Sequence, residues 1–196
     1  MEGVDGSGKT TQARLLADAL EAGGRRVVRT REPGGTPVGE RIREVVLADP
    51  SLTMTLLTEV HLFAASRAEH VRRVIRPALA GGAWVVSDRF VDSSLAFQGA
   101  GRGLGVDAVW EANRAAVDGC LPDLAIVVDV PLEVAAARRA PAPDRIEAEG
   151  PQFHARVADG YRELARRFPE RVRLVDGSGA PGEVHARVLA VAEGAP

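Results

Sequence analysis

Gly3-Val4-Asp5-Gly6-Ser7-Gly8-Lys9-Thr10 fits the pattern G-x-x-x-x-G-K-[ST] at every fixed position. A glycine-rich turn of this kind points successive backbone N–H groups inward. Together with the positive end of the following helix it forms an anion site. Lys9 would reach the β- and γ-phosphates of a nucleotide, and the Thr10 hydroxyl would hold Mg²⁺. The pattern therefore predicts ATP or GTP binding by Gly3, Val4, Asp5, Gly6, Ser7, Gly8, Lys9, Thr10 and Thr11. Such a loop joins a β-strand to a helix, yet only Met1 and Glu2 stand ahead of Gly3. The expectation is an apolar strand encoded upstream or clipped away; a four-stranded sheet that tolerates the gap is the less favoured alternative.

Among 25 basic residues, Lys9 is the only lysine. The excess of Ala, Arg, Gly, Pro and Val points to a GC-rich genome in which arginine codons come easily. A compact ammonium fits a ring of backbone amides better than a planar guanidinium does. The retention of lysine at this one position marks the loop as functional.

The 196 residues, 45% hydrophobic and 27% charged, suit one soluble domain spanning 1–196. A net charge of −2 argues against a general nucleic-acid or membrane-surface binder. No apolar run approaches the roughly 20 residues of a membrane span, and no signal peptide is recognisable. Cys120 is the single cysteine, which fits a reducing, cytoplasmic setting. It reads as a small half-buried residue ahead of a strand. His61, His70, His154 and His185 show no metal-ligand spacing and read as ordinary helix residues.

Short β-branched runs alternate with longer helical stretches. A helix is predicted over 11–22, a strand over 26–30, a loop over 31–40 and a helix over 41–47. A long helix over 55–79 would bend before Pro77. Strands follow at 83–88, 124–130 and 172–175, with helices near 91–97, 105–118, 132–139, 153–168 and 183–192. The run 124–130 is uniformly apolar, as in a parallel sheet covered on both faces. The alternation predicts an α/β fold with a mainly parallel sheet and helices on both faces. DGSG recurs at 176–179 but is followed by Ala-Pro, so only the first copy carries the lysine and hydroxyl.

The loop does not fix the phosphoryl acceptor. A GTPase would need an N/T-K-x-D motif, which cannot exist when Lys9 is the sole lysine. A small P-loop domain with a late, proline-broken, arginine-bearing segment points to a small-molecule kinase. Four stretches then converge: EGVDGSGKTTQ at 2–12, REPGGT at 31–36, DRFVDSSLAFQG at 88–99 and DRIE at 144–147. In this order the chain resembles the thymidylate kinase family, whose members phosphorylate dTMP to dTDP, and the third block is the most specific.

The resemblance implies roles. Asp5 would orient the sugar and phosphate end of dTMP. Glu32 and Pro33 of REPGGT would line the acceptor pocket. Phe63 and Arg67, four apart on one helix face, would stack on thymine and bond its edge. Asp88 would lie near Mg²⁺ with Thr10, and Arg89 would grip the dTMP phosphate. Ser94, Phe97 and Gln98 would line the sugar and base pocket. Phe97 stands where tyrosine is commoner, so any phenol contact there is absent. Gly6 stands where some members carry a basic residue. Arg138, Arg139 and Arg145, in a lid at about 138–149, would then neutralise charge during transfer. Asp176 and Ala180 would bracket the adenine. A homodimer is also implied. The rival readings are a kinase for another deoxynucleoside monophosphate and a non-catalytic nucleotide binder.

Overall fold

The computed structural model describes residues 1–48, 51–138 and 143–194. The apolar runs become four parallel strands: β1 Val27–Arg31, β2 Trp84–Asp88, β3 Ala125–Asp129 and β4 Val172–Asp176. β1 pairs with β2 (Val28 opposite Val85) and β3 with β4 (Val127 opposite Leu174).

Met1 and Glu2 join the two pairs. The Met1 ammonium donates to Ser87 O at 2.7 Å, and Met1 O accepts from Arg89 N at 2.9 Å. On the other side Glu2 N donates to Ile126 O at 2.8 Å and Glu2 O accepts from Val128 N at 2.9 Å. Glu2 thereby forms a parallel bridge opposite Val127. The order across the molecule is β1, β2, Met1–Glu2, β3, β4. The central position between β2 and β3 is held by these two residues.

The helices are α1 Lys9–Ala22, α2 Pro37–Leu47, α3 Leu56–His70, α4 Arg76–Ala80, α5 Val91–Ser94, α6 Val106–Val117, α7 Leu132–Arg138, α8 Pro151–Arg167 and α9 Pro181–Glu193. Alternation along β3 sorts them into two layers. Ile126 and Val128 pack with Leu16, Ala17, Val184 and Val188 of α1 and α9. Ala125 and Val127 face the larger core built from Val60, Val109, Phe153, Tyr161 and Leu164 of α3, α6 and α8. Burying both faces is why β3 carries no polar residue before Asp129.

Several boundaries differ from expectation for local reasons. The loop predicted over 31–40 ends early. The Thr36 hydroxyl accepts from Gly39 N at 3.0 Å and Pro37 takes the first helical position, so α2 starts there. α8 and α9 likewise open on Pro151 and Pro181. The bend before Pro77 takes the form of wide turns over Val71–Ile75 between α3 and α4. A second such π-helical stretch, Leu95–Gly101, extends α5 and carries Phe97 and Gln98. Arg139 lies outside the described residues.

Candidate active site

The C-terminal ends of β1 and β2, the glycine loop and the start of α1 open on one cavity of about 210 Å³. This is where parallel α/β sheets present their ligand sites. Its walls include Asp5, Lys9, Thr10, Glu32, Pro33, Phe63, Arg67, Asp88, Arg89, Ser94, Phe97 and Gln98. Residues drawn from four separated sequence blocks therefore meet in one place.

In the loop, Gly6 has φ +85°, and a Cβ built there would lie 2.1 Å from the Ala135 carbonyl oxygen of α7. With this backbone the position has no room for a side chain. The Lys9 ammonium sits 3.2 Å from Asp5 Oδ1. Burial pulls its pKa down, with the Arg89 charge adding to the effect and Asp5 opposing it. Asp5 also accepts from Arg89 Nη2. Burial pushes the Asp5 carboxyl up, but the Arg89 and Lys9 charges outweigh it and leave it at about 2. Arg89 follows the end of β2 with φ +73°, a left-handed backbone rarely taken by a non-glycine residue. Its guanidinium lies 4.8 Å from the centroid of the Phe97 ring.

The Thr10 hydroxyl donates to Asp88 Oδ2 at 2.5 Å, while buried Asp88 Oδ1 has no protein partner. A hydroxyl and a carboxylate with an unmet oxygen suit Mg²⁺, which takes one or two protein ligands and completes its shell with phosphate and water. Among the described residues no group of three or more His, Cys, Asp or Glu could hold a metal by itself. The residues present thus fit a metal shared with a bound nucleotide.

Elsewhere the structure spends predicted side chains on each other. Arg67 is almost fully buried and donates through Nε to Glu32 at 2.9 Å and through Nη1 to Ser94 Oγ at 3.2 Å. It also reaches Asn113 Oδ1 and the Phe90 carbonyl. Glu32 receives His70 Nδ1 at 2.9 Å on its other oxygen. His70 is therefore a buried anchor of the pocket wall, more than an ordinary helix residue. Gln98 donates to Glu59 at 2.9 Å. Arg145 donates to Glu59 at 2.7 Å and to the Val46 carbonyl at 2.8 Å. Its neighbours Asp144, Ile146 and Glu147 line the cavity, and Arg145 is not among the lining residues. Arg138 is exposed at the end of α7, three residues beyond the carbonyl that meets Gly6. Asp176 and Ala180 flank an exposed turn in which Asp176 accepts from Ser178 N at 2.9 Å. Gln12 of α1 donates to Pro181 O at 2.9 Å and so ties that turn to the glycine loop's helix.

Sequence reading did not single out Arg31, Arg43 or Ser93, which also line the cavity. Nor did it find Glu59, the shared acceptor of Gln98, Arg102 and Arg145. The one available signal was a glutamate in the apolar face of α3, where a carboxylate needs partners.

A glycine loop of the P-loop pattern whose lysine shares one carboxylate with a second cation, Arg89, at the strand ends of a parallel α/β sheet is the arrangement of a P-loop kinase fold. The thymidylate kinase family model matches residues 1–188. Thymidylate kinase of Pelotomaculum thermopropionicum is 50% identical over 195 residues, 98% of this chain and 90% of that protein. That of Symbiobacterium thermophilum is 48% identical over 193 residues, with the same coverage. The crystal structure of thymidylate kinase from Ehrlichia chaffeensis superposes with a TM-score of 0.80 at 34% identity, covering 98% of this chain and 95% of that one. The chain belongs to the thymidylate kinase family.

Proposed function

We propose that this chain transfers the γ-phosphoryl group of ATP to dTMP, giving dTDP. The observation that carries the reading is the single cavity in which Lys9, Asp5 and Arg89 meet beside Thr10 and Asp88. In-line phosphoryl transfer asks a protein chiefly for positioning and charge neutralisation. The backbone N–H groups of the loop and the Lys9 ammonium take the donor phosphates. Arg89 holds the acceptor phosphate with a planar fork of donors. Bound Mg²⁺, held by Thr10 and Asp88, would supply neutralisation of the phosphate charge. Asp5 keeps Lys9 and Arg89 poised and faces the acceptor's sugar and phosphate end. Phe63, Phe97 and Ser94 form the wall for the sugar and base. Arg67 acts there through a guanidinium already fixed by Glu32. Glu32, Pro33 and Gln98 complete that wall.

The segment at 138–149 would close over ATP, with Arg138 and Arg145 moving toward the phosphates; Arg145 must then leave Glu59. The turn at Asp176–Ala180 would take the adenine. Among the described residues no helix is long and apolar enough to cross a membrane. The family resemblance supports, as part of the same proposal, a homodimer in the cytoplasm that binds ATP and dTMP and no nucleic acid.

The deciding experiment couples ADP release to a panel of dTMP, dUMP, dCMP, dGMP and AMP. ADP release that depends on dTMP and favours it over the panel is expected. Nucleotide affinity without dTMP-dependent ADP release would make the chain a binder, and preference for another monophosphate would reassign the substrate.

A further inference from the structure

Arg89 is held from behind by a polar cluster buried between the sheet and α8. Its Nη1 donates to the Gly3 carbonyl at 3.0 Å, to Ser93 Oγ at 2.9 Å and to Tyr161 Oη at 3.2 Å. Both hydroxyls in turn donate to the same oxygen of Glu2, Ser93 at 2.5 Å and Tyr161 at 2.9 Å. The other Glu2 oxygen accepts from Phe90 N at 2.7 Å. A hydroxyl has one hydrogen and two lone pairs, and a carboxylate only accepts. When Glu2 is ionised it accepts the proton of each hydroxyl, so both oxygens can accept from the guanidinium; the two hydroxyls also stand 2.9 Å apart, within hydrogen-bond distance of each other. The Tyr161 ring is fixed too, edge-on to Phe97 at 6.3 Å between centroids, and Phe97 carries the guanidinium over its face. Nη2 donates to Asp5, and a guanidinium carries five N–H donors, so the second Nη2 proton and, among the described residues, the Nε proton are left without a protein acceptor.

We propose that Tyr161, seconded by Ser93, is a positioning residue that sets the Arg89 guanidinium at the acceptor phosphate. The inference rests on the reading of Arg89 as the phosphate-gripping residue. Tyr161 does not line the cavity and touches no reacting atom; it acts through Arg89. Its ring is also core, packed with Phe153, Val157 and Leu164, so the role must be separated from a packing role.

The separation uses two ligands that differ only in the phosphate. Binding of dTMP and of thymidine is measured by calorimetry for the wild type, Tyr161→Phe, Ser93→Ala and Arg89→Ala. Tyr161→Phe keeps the ring and removes only the hydroxyl. It is expected to weaken dTMP about 5-fold, the scale of one typical net hydrogen bond felt through Arg89. Thymidine affinity, Tm and KM for ATP should stay near wild type. Ser93→Ala should follow the same pattern, and in an Arg89→Ala background Tyr161→Phe should add nothing. Equal weakening of dTMP and thymidine by Tyr161→Phe and Ser93→Ala, or no effect on either ligand, would overturn the positioning role while Arg89→Ala still selectively weakened dTMP. If Arg89→Ala itself left the dTMP-to-thymidine ratio unchanged, the reading of Arg89 would fail and this inference with it.

Discussion

Two cavities open from the same sheet, and they are built on opposite principles. The first, about 210 Å³, sits at the C-terminal strand ends and is walled by side-chain charges that hold one another in place. The second, about 470 Å³, lies between β2 and β3 on the N-terminal side of Met1 and is walled by Leu16, Ile75, Val85, Leu124, Ile126 and other apolar groups. Its rim carries the exposed Leu79, Trp84 and Leu121. In the first, the polar groups on offer are charged side chains that pair with one another beside the glycine loop. In the second, the polar groups on offer are the strand edges and a few side chains, Glu2, Ser87, Asp92 and Asp123. Backbone groups alternate sides along a strand. Since Ser87 O and Arg89 N face Met1, Val85 faces the cleft; since Ile126 O and Val128 N face Glu2, Leu124 O faces it as well. A pocket made of paired charges resists change in shape. A cleft made of open ladder and apolar side chains gains from being filled.

The sharpest way to break this contrast lies in the charged cavity. Lys9→Ala removes the ammonium that faces Asp5 and Arg89 while deleting little buried apolar surface. Turnover should fall by about 10³-fold or more, since such catalysis depends heavily on stabilising the charge of the transferring group. The Tm should move by only a few degrees. Steady-state kinetics with a thermal melt checks both, and near-normal kcat would remove the loop from the mechanism.

The apolar cleft predicts the opposite pattern: stability changes and chemistry does not. Four apolar β-branched residues placed ahead of Met1 would continue the ladder along β2 and β3. The junction would also turn the Met1 ammonium, whose pKa burial pulls below the usual α-amino value, into a neutral amide. The expected gain is on the order of 3 kcal/mol from apolar burial and ladder bonds, read as a Tm higher by about 6–12 °C. KM for dTMP should hold. An extension of the same length rich in Asp and Pro should give no gain. Equal melting of both extended forms would show that the cleft does not accept a strand.

How much of this was legible in the sequence follows the same division. The glycine loop, β3 and the Asp88-Arg89 pair were readable because each is a short local pattern whose meaning does not depend on what it touches. The meeting of Phe63, Arg67, Ser94 and Phe97 in one wall was reachable through family resemblance alone. The partners that consume Arg67 and Arg145 were not readable, since Glu32, Asn113 and Glu59 lie 35, 46 and 86 residues from the arginines they hold. Met1 and Glu2 escaped for another reason. Two residues have no periodicity, so nothing in them announces that they close the sheet. Tyr161 resembles any aromatic on the buried face of a helix until the fold sets its hydroxyl against Arg89.

The smallest effect belongs to Asp5 and tests whether the charged cavity is held by charge at all. Its carboxyl sits at about 2 in the folded chain against an ordinary value of 3.8. A depressed carboxylate stabilises the fold fully above the unfolded value. Between about pH 4 and pH 2 the unfolded chain binds the proton that the folded chain refuses, so stability drops as pH falls and the contribution is gone below about 2. The size is about 2 kcal/mol. Urea unfolding of the wild type and Asp5→Asn at pH 5 and at pH 3 reads it. The wild type should lose more stability across that interval than the variant, which has no proton to take up at this site. Equal losses would mean that Lys9 and Arg89 do not hold Asp5 ionised, and the two cavities would then differ in composition but not in what keeps their shape.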